Sequence, residues 1–313
     1  MKLGYIGLPH GHRAQDIRFK IQEQLMFADC LGFTSAYFPK IDPHQFAATH
    51  GAQTHNIKIT LDASAFELSG PTALECAVRE IDDQLNGRLN LGVAICGPNA
   101  SPQCKAAAQT FETLFSYDRP ADPVFASSRF PMKSPSPDIV GLPISGLWTE
   151  AKVAATRGYC PMTPSWLPDN EVARIWPAIV AGATSALRRA QPSQWQVNRV
   201  VVVHENAQTV HNYLHSSHSP IRRHFTYLAQ RGLIDADVDT HLKHVVIAGP
   251  AQKVAEDILA LREVVGEFGT LNIIDPVGSD ANLMRKTMVQ LAEEVLPMVT
   301  KSTVSHFKNL EKT

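Results

Sequence analysis

Residues 56–94 read NIKITLDASAFELSGPTALECAVREIDDQLNGRLNLGVA. The β-branched run from Ile57 to Leu61 predicts a buried strand, and Pro71 then opens a helix, where its missing N–H costs nothing. Apolar residues recur at helical spacing along one face of this helix, and Gly87 lies just past its end. The apolar run from Leu89 to Ala94 is long enough only for a second strand. Strand, helix and strand within about forty residues make a βαβ unit, which builds parallel sheets.

The rest of the chain repeats this alternation of short apolar strands and amphipathic helices. Eight predicted strands, nearly all separated by helices, favour a TIM-like (β/α)8 barrel that forms a single domain over residues 1–313. A doubly wound open sheet is the alternative. It is the weaker one, because Gly4, Gly7 and Gly11 do not spell GxGxxG after the first strand. The predicted strands are 3–7, 35–38, 57–61, 89–94, 139–144, 159–163, 197–204 and 270–274.

Residues 205–249 interrupt the alternation after the seventh strand. This segment is rich in histidine and carries Ser216-Ser217 near its middle. It follows a strand on the side of the barrel where active sites lie, so we expect a lid insertion over the mouth of the barrel. His211, His215 and His218 have no carboxylate or cysteine that completes a convincing ligand set, so we predict no metal site.

Composition excludes several classes of function. The chain has 313 residues, 44% of them hydrophobic and 19% charged, with a net charge of −1 and no long charged run. This balance argues against nucleic acid and anionic membranes as partners. No stretch approaches the ~20 apolar residues of a membrane span, and MKLGYIGLPHGH at the N-terminus lacks the apolar core of a signal peptide. Five scattered cysteines without a CxxC pair favour free thiols and a cytoplasmic protein.

A barrel places its active site at the carboxyl ends of its strands, and this rule selects candidate residues. His44, after the second strand, and His10, after the first, are the candidate acid–base residues, because imidazole titrates near neutral pH. The alternatives are an exposed turn histidine after Pro43 and a packing role for His10 in its Gly/Pro loop. The rule also selects Asp62, Ser64, Cys96, Asn99, Ser145, Gly146, Thr163, Ser165, Trp166, His204, Glu205 and Asp275.

Ser145, Gly146 and Thr149 lie where the fifth strand passes into a helix that we predict from about Leu147. Free N–H groups at a helix N-terminus bind phosphate, and Gly146 lets the backbone approach a ligand because it has no Cβ. Ordinary capping of the helix by Ser145 explains the same pattern without a ligand.

Three segments together resemble the bacterial luciferase-like flavin monooxygenases. The helix within 56–94 ends in Leu85-Asn-Gly-Arg88, followed by Leu91-Gly-Val93, which is similar to the Leu-x-x-Gly-Arg pattern of that family. VAATRGYCPMTPSW at 153–166 resembles its helix end and sixth strand. The segment 250–297, which contains PAQKVAEDILALREVVGEFGTLNIID and then LAEEVLP, is similar to its C-terminal region, above all in the clade of FMN-dependent alkanal, limonene and ketone oxygenases.

The resemblance implies a flavin-dependent monooxygenase. Reduced FMN from a separate flavin reductase, together with dioxygen, would oxygenate a small apolar substrate such as an aldehyde, ketone or terpene. The family commonly forms homodimers through helices near the early strands, so a dimer is expected. Implied roles are catalysis for His44 and His10, and cofactor binding for Ser145, Gly146, Thr149, Thr163, Ser165 and Ala94, with Trp166 and Phe38 lining the apolar pocket.

Two departures from the family pattern leave alternatives open. Pro39-Lys-Ile-Asp-Pro-His44 replaces the usual Glu-His-His, and Ala94-Ile-Cys-Gly-Pro-Asn99 lacks the arginine that often lies near the flavin. One alternative is a flavin-binding or regulatory protein without oxygenase turnover. The other is a deazaflavin-dependent oxidoreductase on the same barrel.

Overall fold

The computed structural model of this chain describes residues 1–8, 14–39, 41–66, 71–95, 138–143, 148–276 and 279–302. The strands are β1 (Lys2–Gly7), β2 (Ser35–Phe38), β3 (Lys58–Asp62), β4 (Leu89–Ile95), β5 (Asp138–Pro143), β6 (Cys160–Pro161), β7 (Gln196–Val203), β8 (Val246–Gly249) and β9 (Thr270–Asp275). The helices are α1 (Ala14–Cys30), α2 (Pro43–His50), α3 (Pro71–Gln84), α4 (Trp148–Thr156), α5 (Asp169–Ala173), α6 (Ile175–Ser185), α7 (Ala207–His215), α8 (Pro220–Gln230), α9 (Val238–Val245), α10 (Ala251–Val265) and α11 (Ala281–Gln290). A π-helical turn, Leu291–Val295, continues α11, and 3-10 turns occupy Gly51–Gln53, Ala63–Ala65 and Pro192–Gln194.

The βαβ unit predicted from 56–94 is confirmed. Strands β3 and β4 pair in parallel, with Ile59 opposite Leu89. The chain turns between α3 and β4 through Asn86 and Gly87, whose φ angles of 54° and 76° lie in the left-handed region that ends many helices. The side-chain oxygen of Asp82 then accepts a hydrogen bond of 3.1 Å from the Leu89 N–H, so the helix end sets where the strand begins.

The sheet is parallel throughout the described residues and has the order β6-β5-β4-β3-β2-β1-β9-β7-β8. A parallel bridge joins Met162, just after β6, to Gln196, the first residue of β7. The Thr163 N–H donates to the Gln196 carbonyl at 3.0 Å, and the Thr163 hydroxyl accepts from the Asn198 N–H at 3.3 Å. These contacts connect β6 to β7, so the eight strands other than β8 follow one another around a ring.

Strand β8 is the element that sequence analysis missed. It lies at the end of the segment 205–249, which the sequence predicts to be an insertion throughout, and it pairs with β7 from Val200 to Val203. The first half of β7, from Gln196 to Arg199, pairs with β9 instead. Strand β7 therefore changes its partner from β9 to β8 between Arg199 and Val200.

Two apolar layers and one polar layer fill the fold. Outward-facing strand residues such as Leu61, Val201 and Leu271 pack with the helices in the larger buried cluster. Inside the ring, the Asn272 side-chain amide donates to Asn198 Oδ1 at 2.8 Å and to Gln196 Oε1 at 3.0 Å. Each fully buried leucine or valine stabilises the fold by about 1.5–3 kcal/mol, whereas the amides fix the register of the strands that they join. No helix in the described ranges is long and apolar enough to cross a bilayer.

Candidate functional site

The carboxyl ends of the strands carry an apolar wall. Side chains alternate between the two faces of a strand, and the inward-facing residues near these ends form one connected buried cluster with the helices of the segment after β7. We call α7, α8 and α9 the insertion helices, and this group of residues the mouth cluster. Its buried members are Ile6, Val140, Met162, Val200, Val202, Ile221, Phe225, Leu228, Val238, Leu242, Val245, Ile274 and Leu283.

A hydroxyl–carboxylate pair interrupts this apolar wall. Tyr37 on β2 packs against the mouth cluster, and its hydroxyl donates a hydrogen bond of 2.9 Å to Asp62 Oδ1 at the end of β3. Burial raises the pKa of Tyr37 well above its ordinary value, and the neighbouring Asp62 carboxylate raises it further. Tyr37 therefore stays protonated and acts as a hydrogen-bond donor, which leaves the half-buried Asp62 as the group of the pair that can accept a proton.

A second tyrosine–carboxylate pair joins two neighbouring strands of the sheet. Tyr5 on β1 donates a hydrogen bond of 2.7 Å to Asp275 Oδ2 at the end of β9. Burial and the Asp275 charge both raise the pKa of Tyr5, so this hydroxyl also stays protonated. Tyr5 belongs to the outer buried cluster and packs against Phe38 with ring centroids 5.9 Å apart. This pair joins the neighbouring strands β1 and β9, and its carboxylate also acts on Tyr213 of α7, which packs against the mouth cluster.

The insertion helices are held onto the loop that follows β6. His241 of α9 has its Nε2 atom 2.7 Å from the backbone oxygen of Trp166. The His241 ring also contacts Phe225 of α8, with centroids 5.8 Å apart. Trp166 itself is partly buried against the mouth cluster. The helices predicted as a lid therefore pack over the carboxyl ends of the strands, and their opening and closing remain a prediction.

One carboxylate ties the three insertion helices together. Asp239 of α9 accepts hydrogen bonds from both terminal nitrogens of Arg222 on α8, one of them at 2.9 Å, and its Oδ1 lies 3.1 Å from His215 Nδ1 on α7. Hydrogen bonds from the Arg222 guanidinium and then from His215 hold the pKa of Asp239 well below its ordinary value. The stabilisation is therefore complete above the ordinary carboxyl pKa and is lost only as the pH falls through the lowered one.

Replacing Asp239 with Asn should loosen the insertion helices without unfolding the barrel. The amide keeps the shape of the carboxylate but removes the charge that both Arg222 and His215 contact. We expect amide hydrogen exchange at neutral pH to become several-fold faster in α7 and α9, with unchanged exchange in β3 and β4. Asp235→Asn, an exposed change in the same segment, is the matched control. Equal exchange in the two variants would contradict a tie through Asp239.

The predicted acid–base histidines have different outcomes. His44 is the second residue of α2, which Asp42 caps by accepting a hydrogen bond of 2.7 Å from the Gln45 N–H. Its side chain is exposed on the helix that follows β2. His10 lies outside the described residues. The structure thus places His44 after a strand end, as the barrel rule requires, and a catalytic role for it remains a prediction.

The predicted cofactor-binding residues are spread over three strand ends. Ser145 and Gly146 lie outside the described residues, and Thr149 is exposed in the first turn of α4. Thr163 and Ser165, both buried, follow β6, where the Thr163 hydroxyl already serves β7. Ala94 lies in β4 opposite Leu142 of β5. All of the described members stand at or near carboxyl ends of strands, whereas cofactor binding by them is untested.

Strand alternation corrects one predicted pocket residue and supplies another. Phe38 faces the helices and packs against Phe46 of α2 with ring centroids 5.3 Å apart, so the prediction that it lines the pocket is wrong. Its neighbour Tyr37 faces the mouth cluster instead. Trp166, the other predicted lining residue, does contact that cluster.

The side chains at the mouth of the barrel have the chemical character that a flavin ring requires. An isoalloxazine ring is planar and largely apolar with polar edges, and sites for such ligands combine apolar walls with a few placed polar groups. The mouth cluster supplies the wall, and Tyr37 with Asp62 supplies a polar group within it. Within the described ranges, no three His, Cys, Asp or Glu side chains are grouped to hold a metal ion.

Comparison with known proteins identifies the fold. No family model matches the sequence, and no curated protein sequence matches it. Many solved structures match nearly the whole chain, among them the following three. The oxygenating constituent of 3,6-diketocamphane monooxygenase from Pseudomonas putida, a type II Baeyer-Villiger monooxygenase in complex with FMN, has a TM-score of 0.76 and 18% identity over 96% of this chain and 98% of its own.

The other two structures extend the comparison to a second cofactor. Monooxygenase RslO1 from Streptomyces bottropensis has a TM-score of 0.72 and 18% identity over 95% of this chain and 99% of its own. The coenzyme F420 dependent tetrahydromethanopterin reductase from Methanopyrus kandleri has a TM-score of 0.63 and 16% identity, over 95% of this chain and 98% of its own. The chain therefore has the barrel fold of these enzymes, as the resemblance to the luciferase-like family implied.

Proposed function

We propose that this protein is a flavin-dependent monooxygenase of the luciferase-like class. The observation that carries the proposal is the mouth cluster, an apolar wall closed over by the insertion helices and interrupted by the Tyr37–Asp62 pair. A monooxygenase needs such a site, because water must be kept from the reacting oxygen species. The fold that this chain shares with a monooxygenase in complex with FMN supports the same proposal.

The proposed substrate is a small apolar aldehyde, ketone or terpene. Bound reduced FMN would supply two electrons, so that one atom of dioxygen enters the substrate and the other leaves as water. The valine, isoleucine and methionine side chains of the mouth would hold the substrate and exclude water. Asp62, held by the Tyr37 hydroxyl, would accept and return the proton that this chemistry moves, and His44 would do so at the rim.

The proposed phosphate site is the turn between β5 and α4. Ser145, Gly146 and Thr149 would bind the phosphate of FMN, and Ala94, Thr163 and Ser165 would contact the cofactor from neighbouring strand ends. The support is positional, because β4, β5 and β6 are adjacent in the sheet and their carboxyl ends meet at one side of the barrel.

Titration with FMN tests the proposal. We expect reduced FMN to bind more tightly than oxidised FMN, by about tenfold or more, because the enzyme must take the reduced form from a separate reductase. Anaerobic fluorescence titration measures both affinities, and mixing the reduced complex with dioxygen shows turnover. Binding without any reaction with dioxygen would favour the non-catalytic flavin-binding protein. Absence of binding in both states would contradict the proposal.

An F420-dependent oxidoreductase is the second candidate. The likeness to an F420 dependent reductase favours it, because the same barrel serves that cofactor there. The discriminating measurement is a parallel titration with F420. Tight binding of F420 with weak binding of both forms of FMN would replace the first proposal by this one.

We also propose that the protein is a cytoplasmic homodimer. Cys30 and Cys76 are exposed and form no disulfide, as expected of a chain in a reducing compartment. Sedimentation at micromolar concentration should give a species with twice the mass of the 34.4 kDa chain. A species of the single-chain mass would contradict the dimer without affecting the proposed chemistry.

A further inference from the structure

A cavity lies beside the place where β8 begins to pair with β7. It occupies about 350 Å³ between β7, β8 and four helices, α5, α7, α9 and α10. This volume lies within the range of small-molecule sites, roughly 300–1,000 Å³. Its walls combine apolar residues of α7 and α9 with charged side chains from several elements. None of the residues proposed to bind the cofactor or to exchange protons lines it, whereas Leu242 and Val245 of the mouth cluster do.

Arg199 in the wall of this cavity is an unusual residue for its position. Its neighbours on the same face of β7, Val197 and Val201, are fully buried and apolar. The Arg199 side chain is only 1% exposed, yet its ion-pair partner Asp169 is 38% exposed, at an Nη2–Oδ1 distance of 2.7 Å. Burying a guanidinium against a half-hydrated carboxylate costs free energy that an aliphatic residue would not. A purely structural role, in which the ion pair joins β7 to α5, explains the contact between Arg199 and Asp169 but not the cavity beside it.

Two more cations line the same cavity, each from a different helix. Lys243 comes from α9, and Lys253 comes from α10. Lys253 pairs with Asp257 one turn along its own helix, with side chains 56% and 34% exposed. Such exposed pairs are weak, so Lys253 can turn toward a ligand at little cost. Three permanent cations face two carboxylates, Asp169 and Asp257, so the lining keeps a net positive charge.

We propose that this cavity binds a small organic oxyanion, a carboxylate or a phosphate monoester. Its charged end would accept hydrogen bonds from Arg199, Lys243 and Lys253, each from a different structural element. Its apolar part would lie against Val210 and Leu214 of α7. Because α7 and α9 also cover the mouth cluster, and Leu242 and Val245 of α9 belong to both, an anion bound here would contact the helices that cover the proposed flavin site.

Calorimetric titration with two probes tests this site at neutral pH and constant ionic strength. Inorganic phosphate and hexanoate distinguish a phosphate ligand from an apolar carboxylate, and chloride at the same ionic strength is the blank. We expect saturable 1:1 binding of at least one probe by the wild-type chain. Arg199→Met should weaken that binding about tenfold or more, since a charge-assisted hydrogen bond is lost. Lys243→Met should weaken it about threefold to tenfold, whereas Lys286→Met, an exposed change on α11, should not alter it.

Each outcome decides the proposal. Weaker binding in Arg199→Met and Lys243→Met, with normal binding in Lys286→Met, supports it. If Arg199→Met does not fold, Lys243→Met and Lys253→Met carry the test. Failure of both probes to bind wild type up to millimolar concentration would overturn it, as would equal binding in all variants. Displacement of the anion by FMN would also overturn it, by placing the anion in the mouth of the barrel.

Discussion

Replacing Asp62 with Asn is expected to lower the rate of the oxygenation reaction by about 100-fold or more, the usual contribution of a general acid–base group. The reason lies in the Tyr37–Asp62 pair. Tyr37 keeps its proton because burial and the neighbouring carboxylate raise its pKa, so the pair has one member able to exchange a proton, Asp62. An asparagine at this position can still accept the hydrogen bond from Tyr37, so it preserves the geometry and removes only the carboxylate that can take up a proton.

The measurement separates chemistry from binding. Product formation from an aldehyde or ketone that the wild type accepts gives the rate. Anaerobic FMN titration and a thermal melt check that affinity and stability stay close to wild type. Tyr37→Phe is the companion variant, because it leaves the carboxylate but frees it to rotate; about tenfold slower turnover is expected. An unchanged rate and pH profile for Asp62→Asn would remove Asp62 from the proposed mechanism.

Sequence periodicity was sufficient for most of the fold but not for β8. In the unit at 56–94 the helix boundaries are marked by Pro71, which opens the helix, and by Gly87, which follows it. Both strands could therefore be predicted from the sequence. At 238–249 the helix α9 ends at Val245 and β8 begins at Val246, with no Gly or Pro between them. An apolar run that passes from helix to strand without a turn shows neither the 3.6-residue period of a helix nor the two-residue period of a strand clearly.

Of the candidate site, the sequence could predict only the residues that the barrel rule selects, which are those at the carboxyl ends of strands. That rule selected Asp62, because it ends a strand, but it could not select Tyr37, which is inside a strand and reads as one more aromatic residue. Which of Tyr37 and Phe38 faces the mouth depends on the register of β2 against β1 and β3, with Tyr37 opposite Ile6 and Thr60. A one-residue shift would exchange the two side chains, and a four-residue strand contains too little pattern to fix it.

Gly4→Ala is expected to destabilise the protein by about 2–3 kcal/mol, because it overpacks the interior of the ring. A Cβ at Gly4 would overlap the side-chain oxygen of Asn272 and lie 2.7 Å from Ser35 Oγ. Asn272 cannot simply swing away, since it is 2% exposed and its amide bonds both Asn198 and Gln196. Urea unfolding of the variant measures the loss. Wild-type stability would show that the interior has room for a methyl group at this place.

A double-mutant cycle identifies the cause of that loss. Asn272→Ala alone should cost about 1–2 kcal/mol, because it leaves the buried amide of Asn198 and the half-buried amide of Gln196 without this partner. If overlap between Gly4 Cβ and the Asn272 side chain is the cause, shortening Asn272 makes room for the methyl group. The combined variant should then be more stable than the sum of the single losses predicts, by about 1 kcal/mol or more. Strict additivity would mean that Ser35 or the backbone, and not Asn272, requires glycine at position 4.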